Sequence, residues 1–220
     1  MMKYLHLDCE MGGRELKYSL LTAYFMVTDD KFKVLGDLYL EVKPDDGDYV
    51  VSGQGMGVNK INLQEHDKVA IPYKEAKPLL YNFLRKHSAG IVNGAASPNW
   101  MPIRLTPVGH GVKGDISHVI LRLISEGSWE QFCTYHYIDT SVVLQYLRAI
   151  GKMPMDTEGS VTALAKYFDI EVGGEDHDCR VDTFKTLGVF REFVRLGKGG
   201  DDSPLPDDFR SKGVSGTVKI

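Results

Sequence analysis

Four acidic residues could do joint chemistry if the fold brings them together: Asp8 and Glu10, two positions apart, then Asp115 and Asp182. In the run KYLHLDCE, Leu5, Leu7 and Cys9 alternate with His6, Asp8 and Glu10, so a strand there projects the two carboxylates side by side on one face. Asp115 follows Gly109-His110-Gly111-Val112-Lys113-Gly114 at the end of an extended run, where α/β sheets build their sites. A single carboxylate is ordinarily a solvated surface charge, so these residues carry meaning only as a set. Clustered carboxylates are hard oxygen donors suited to Mg²⁺ or Mn²⁺. A divalent ion held by such carboxylates can acidify a bound water toward neutral pH and neutralise developing negative charge.

Around this set the chain reads as a mixed α/β domain. The first strand is followed by strands over about 19–27 and 34–42, joined by the short turn 28–31, which makes an antiparallel meander. Residues 44–57, rich in Gly and Asp, read as an exposed excursion. An amphipathic helix follows over 73–86, with Pro78 arguing for a late start or a kink. From Leu105 the order changes: LTPVGHGV leads into helical ISHVILRLI, and YHYIDT leads into SVVLQYLRAI. Strand followed by helix, twice, predicts two parallel strands with crossovers. Two last helices cover 161–168 and about 178–196, the second with an apolar stripe of Phe184, Leu187, Phe190 and Val194. The expected architecture is therefore a central five-stranded mixed sheet, three antiparallel strands and then two parallel ones, flanked by helices. No repeat or linker precedes residue 197.

With 220 residues, 43% apolar and 25% charged, the chain can bury a continuous core, which excludes disorder as its global state. No run approaches the roughly 18–20 apolar residues of a spanning helix, and the N-terminus has no signal-peptide apolar region, so the expectation is a soluble, cytoplasmic protein with no membrane partner. Cys9, Cys133 and Cys179 are odd in number and form no C-x-x-C pair, which reads as three reduced thiols. A net charge of −4 offers no bulk attraction for a polyanion; a nucleic acid must be gripped locally, through metal ions or a small basic patch. The Gly-, Pro- and Asp-rich segment 197–220 reads as a flexible or surface-draped extension of a domain spanning 1–196.

Taken in order, these motifs resemble the DEDDh group of 3′→5′ exonucleases, the DnaQ-like clan that includes RNase T and the epsilon-type proofreading subunits. The family's Asp-x-Glu is matched by Asp8-Cys9-Glu10, its strand-end Asp by Gly109-His110 through Asp115, and its His-x-x-x-x-Asp by His177 through Asp182. The tyrosine variant of the clan would need Tyr four residues before Asp182, where Asp178 stands. The likeness spans roughly residues 3–196 and implies an RNase H-like fold. It also implies two-metal removal of nucleoside 5′-monophosphates from single-stranded ends, with two divalent ions, Mg²⁺ or Mn²⁺, as cofactors. In the family the carboxylate matching Asp8 bridges both ions, those matching Glu10 and Asp182 complete the nucleophile-side ion, and that matching Asp115 serves the second.

By the same resemblance His177 is the general base that takes a proton from the attacking water. Met11, Gly12 and His110 fall where the family meets the terminal nucleotide, and Ile61, Asn62 and Leu63 where a loop packs on its base. Trp100, in the Pro-bounded loop SPNWMP, is a candidate stacking platform. Asp139 reads as a helix N-terminal residue outside the catalytic set. The segment 94–104 is longer than the loop of a minimal family member, and the 44–57 excursion and the C-terminal extension have no counterpart in the family pattern, so DNA and RNA 3′ ends stand nearly balanced as partners. Two rival readings differ in class. One is a noncatalytic or partner-dependent subunit of a DNA polymerase or repair complex with the same fold. The other, a nucleotide-binding Rossmann protein, lacks G-x-G-x-x-G after its first strand.

Overall fold

A computed structural model describes residues 2–88, 91–92, 95–96, 103–174 and 177–199. The meander is formed by β1 (Lys3–Met11), β2 (Leu20–Asp29) and β3 (Val34–Lys43). β1 and β2 pair antiparallel from Lys3↔Asp29 to Met11↔Leu20, and β2 pairs antiparallel with β3. The turn between β2 and β3 is closed by Asp29, whose Oδ1 accepts from the backbone N–H groups of Lys31 and Lys33, both at 2.9 Å.

Two short helices follow, α1 (Gly53–Asn59) and α2 (Leu63–Val69), then β4 (Ile71–Pro72) and α3 (Tyr73–Ser88). β5 (Ile91–Val92) and β6 (Ala95–Ala96) form a separate two-stranded ribbon. The chain re-enters the main sheet as β7 (Thr106–Gly109), continues through α4 (Lys113–Arg122) and α5 (Glu126–Phe132), and returns as β8 (Ile138–Asp139). It finishes with α6 (Thr140–Ala149), α7 (Val161–Tyr167) and α8 (Cys179–Gly197). β7 lies parallel to β1, with His6 opposite Val108, and β8 lies parallel to β7. The sheet order is β4-β3-β2-β1-β7-β8.

The sheet thus has six strands where five were expected. The added β4 is two residues long, too short for alternation to reveal, and its Pro72 lacks an N–H, which suits the outer edge it occupies beside β3. The 44–57 segment is not a free excursion either. Val50 accepts from Ser19 N–H at 2.8 Å, and Ser52 N–H donates to the Gly12 oxygen at 2.7 Å, so this stretch is bonded to the turn after β1. α3 begins at Tyr73 and runs through Pro78, whose exposed position leaves the unpaired carbonyl one turn earlier within reach of water. α4 starts three residues earlier than the expected Ile116, which puts Asp115 inside its first turn.

The sheet buries both faces. Leu5, Leu7 and Cys9 point into the larger core with Leu80 and Leu84 of α3, Val119 of α4 and Trp129 and Phe132 of α5. The opposite face is roofed by α8, where Tyr24 and Met26 pack with Cys179 and Leu187. α8 is wider in its burial than a single stripe, because Val189 and Phe193 pack against Leu144 and Leu147 of α6 and Leu164 of α7. It therefore lies between the sheet and two helices, which fixes its axis over β1. Among the described residues, no helix is long and apolar enough to cross a membrane.

Candidate active site

β1 presents His6, Asp8 and Glu10 on the face covered by α8. The ring of Phe190 lies 5.3 Å from that of Tyr4 and 6.2 Å from that of His6. The helix therefore runs antiparallel to β1, with its later turns over the start of the strand and its first turn over the strand's end. His6 is fully buried as a result, and its Nε2 is 3.0 Å from Thr28 Oγ1. Asp182, in the first turn, meets the end of the strand: one carboxylate oxygen each from Asp8, Glu10 and Asp182 lie within 4.8 Å of one another.

These three open onto a cleft of about 250 Å³ lined also by Cys9, Met11, His110, Gly111, Gly114, Asp115 and His177. Asp115 is buried, and its carboxylate accepts from its own N–H and that of Cys9, beyond the last β1–β7 partner pair. Parallel pairing stops just where a carboxylate takes over the strand's free donor. The loop between β7 and α4 needs Gly111, whose φ is +73°.

The cleft gathers carboxyl groups away from water. Burial, followed by the Asp115, Glu10 and Asp182 carboxylates, raises the Asp8 carboxyl well above its ordinary range. Glu10 is pushed up to about 8, mainly by burial and then by Asp182 and Asp115. Burial also lifts Asp115, against the opposing pull of its backbone N–H bonds. Such a group of carboxylates is costly without a compensating cation. The donors are all oxygen, which fits a hard divalent ion such as Mg²⁺ or Mn²⁺. The Cys9 thiol is buried and its pKa is raised, so it stays protonated and is no thiolate ligand.

His177 is exposed at the rim of the cleft, with φ at +65°, a backbone conformation that a non-glycine residue keeps only when its surroundings hold it. The residue that follows it is anchored. Asp178 caps α8 by accepting from Arg180 N–H at 2.8 Å, and the Arg180 guanidinium returns to it at 3.0 Å while lying 4.5 Å from the centre of the Tyr39 ring. His110 lines the inner wall with its Nδ1 2.9 Å from Thr140 Oγ1, and burial lowers its pKa. Asp139 is the cap of α6: its Oδ1 accepts from Ser141 N–H at 2.9 Å and from Gly111 N–H at 3.0 Å.

The remaining expected substrate contacts divide. Met11 lines the cleft, and its backbone oxygen accepts from Asn59 Nδ2 at 3.0 Å. Gly12 is needed for packing inside the protein: a Cβ there would stand 2.8 Å from the Val50 oxygen and from Val51 Cγ1. Ile61, Asn62 and Leu63 form the junction of α1 and α2, away from the cleft lining, with Asn62 capping α2 by accepting from Gln64 N–H at 3.0 Å. Trp100, Asp176 and the segment 200–220 lie outside the described residues. Two residues behind the site escaped the sequence reading. Asn59 holds the wall at Met11, and Lys185 lies 3.0 Å from Asp182 Oδ1. Only the second had a local signal, its position one helical turn after Asp182.

Neither a protein-family model nor a curated protein matches the chain in sequence. Solved structures do match it in shape. E. coli exonuclease I in complex with a dT13 oligonucleotide aligns with a TM-score of 0.68 at 16% identity, covering 89% of this chain and 41% of that one. The zinc-bound E. coli ExoI–ssDNA complex aligns at 0.64 and 17% identity, with the same coverages of 89% and 41%. An ExoI/SSB-Ct complex aligns at 0.66 and 16% identity, again covering 89% and 41%. The chain spans about two fifths of the length of these structures, and their oligonucleotide, zinc and SSB-Ct complexes belong to those proteins. What the likeness establishes is architectural: the chain has the RNase H-like fold of exonuclease I.

Proposed function

We propose that the protein is a metal-dependent 3′→5′ exonuclease of the DEDDh type, acting on single-stranded DNA ends. The observation that carries this reading is the convergence of Asp8, Glu10 and Asp182 oxygens within 4.8 Å, in a cleft that Asp115 and His177 also line. Two divalent ions, Mg²⁺ or Mn²⁺, would be held by Asp8, Glu10, Asp182 and Asp115, and when bound they supply charge neutralisation at the phosphate and acidify a bound water. His177 stands at the rim, where its imidazole takes the proton from the attacking water. The water oxygen bonds to phosphorus, the bond from phosphorus to the 3′ oxygen breaks, and that oxygen is protonated from solvent. The products are a nucleoside 5′-monophosphate and a strand shortened by one residue. The reading assigns this chemistry to residues 1–196 and leaves 197–220 outside it. The choice of DNA is supported by the exonuclease I neighbours solved with deoxyoligonucleotides.

The test is degradation of matched 5′-labelled single-stranded DNA and RNA oligonucleotides with Mg²⁺, Mn²⁺ or EDTA, alongside Asp8→Ala. A metal-dependent ladder shortening from the 3′ end, faster on DNA and absent in the variant, is the expected result. A faster ladder on RNA would correct the substrate, and no ladder on either polymer would overturn the reaction.

A further inference from the structure

We infer that Lys185 is a positioning residue that sets Asp182 for metal coordination, an inference that rests on the reading of the acidic cleft as a metal site. Lys185 Nζ lies 3.0 Å from Asp182 Oδ1 and 3.2 Å from Thr162 Oγ1, so it ties the first turns of α8 and α7 together behind the site. Both members of the ion pair are withdrawn from water, with side-chain exposures of 8% for Lys185 and 13% for Asp182. An exposed pair of this kind would contribute little, but a buried ammonium is tolerated only with good partners, and here a cleft-lining carboxylate is one of them.

The geometry bears on coordination directly. A carboxylate on a helix has two side-chain torsions to fix, and a bond from Lys185 to Oδ1 holds both while leaving Oδ2 with its full lone-pair capacity. The carboxylate is then presented in one orientation toward Glu10 and Asp8, whose oxygens meet it within 4.8 Å. Groups that hold a metal ligand from behind act on affinity and geometry together. Thr162 serves the same end at one remove, because it holds Nζ from the neighbouring helix.

This role has a sign that separates it from simple charge. Removing a cation beside a metal site would, by Coulomb attraction alone, tighten binding of a second cation. Loss of a positioning residue weakens it. The experiment is calorimetric titration of the full-length protein with Mn²⁺, for the parent, Lys185→Met, Lys185→Arg, Thr162→Val and Asp182→Asn, with thermal unfolding in EDTA measured in parallel. Lys185→Met is expected to weaken Mn²⁺ by about 10–100-fold, Lys185→Arg to recover part of that, and Thr162→Val to fall between. Lys185→Met combined with Asp182→Asn should weaken it little more than Asp182→Asn alone, because the lysine acts through that carboxylate. If Lys185→Met fails to fold, Thr162→Val and Lys185→Arg carry the test, and unchanged Mn²⁺ affinity in both overturns the role. A lower unfolding temperature with unchanged or tighter Mn²⁺ affinity in Lys185→Met also overturns it, leaving a bond between helices and nothing more. A parent that takes up no Mn²⁺ overturns the inference together with the metal-site reading, whereas a parent that binds and an Asp8→Ala that does not would confine any failure to Lys185.

Discussion

Asn59 donates from Nδ2 to the backbone oxygen of Met11 at 3.0 Å, which ties the last residue of α1 to the residue that follows the Asp8–Glu10 pair. The amide is buried and its Oδ1 accepts from Ile61 N–H at 3.0 Å, so it is used on both sides. Gly55 closes the same contact, since a Cβ there would stand 2.4 Å from the Gly12 oxygen. α1 is thus pressed backbone to backbone on the turn after β1, behind the part of the cleft that Met11 lines. Asn59→Ala strips both bonds and is expected to cost about 1–3 kcal/mol, a fall in Tm of roughly 2–10 °C. Thermal unfolding with oligonucleotide kinetics checks it: KM should rise more than kcat falls, since Met11 lines the cleft without contributing a carboxylate.

Carboxylate and histidine variants should separate binding from proton transfer. Asp8→Ala and Asp182→Ala each remove an oxygen from the converging set, so both turnover and Mn²⁺ uptake should drop to background. His177 sits at the rim and offers no oxygen to that set, so His177→Ala should lower kcat by about 10²–10⁴-fold with Mn²⁺ affinity largely kept. Single-turnover rates and calorimetry on the three variants read the difference. Parent-like activity in all of them would refute the assignment.

Much of this site follows from local pattern. Alternation along KYLHLDCE places Asp8 and Glu10 on one face, and the 3.6-residue period after Asp178 places Asp182 on a long helix. Strand-to-helix order from Leu105 onward was equally legible, as were the antiparallel meander and the cap at Asp139. What escaped depends on distant partners or on very short elements. α1 has three residues of poor helix propensity, Gly53, Gly55 and Gly57 among its seven, and forms because Ser52 caps it and Gly12 admits it closely. β4 has two residues and no period to detect. The burial of His6 beside Asp8 could not be read from β1 alone, because it is Phe190, far along the chain, that covers it.

The metal-free protein should lose stability as pH rises. Folding raises the pKa of Glu10 from 4.5 to about 8 and moves Asp8 and Asp115 in the same direction. A carboxyl group whose folded pKa exceeds its unfolded value favours the fold while protonated. That contribution is fully present below about pH 4.5 and is lost between roughly pH 4.5 and 8, because the unfolded chain ionises first. In EDTA, Tm should fall from pH 5.5 to 8.5, and Glu10→Gln, which cannot ionise, should flatten the slope. Excess Mn²⁺ should reverse the trend, since the ion binds the deprotonated cluster. A Tm that rises with pH in EDTA, in parent and variant alike, would contradict the strain assigned to this cluster.

His177 keeps φ at +65° directly before the capping Asp178, and Asp178 is gripped by Arg180, which in turn lies over Tyr39 on β3. The sheet therefore reaches the histidine through a ring, a guanidinium and a cap. Exposure of about a third for both Arg180 and Asp178 side chains means that water screens the ion pair, so its worth is in orientation more than in stability. Arg180→Met should leave Tm close to the parent and Mn²⁺ affinity intact, because Asp182 is set from the other side by its own contacts. It should lower kcat by up to about 100-fold, the scale of a misplaced reacting group. Tyr39→Leu, which removes the ring and leaves the guanidinium bonded to Asp178, should give a smaller loss in the same direction. Single-turnover rates under saturating Mn²⁺ read this directly. Equal rates for the parent and both variants would mean that the backbone at His177 is held by Asp178 alone, through its bond to the Arg180 N–H.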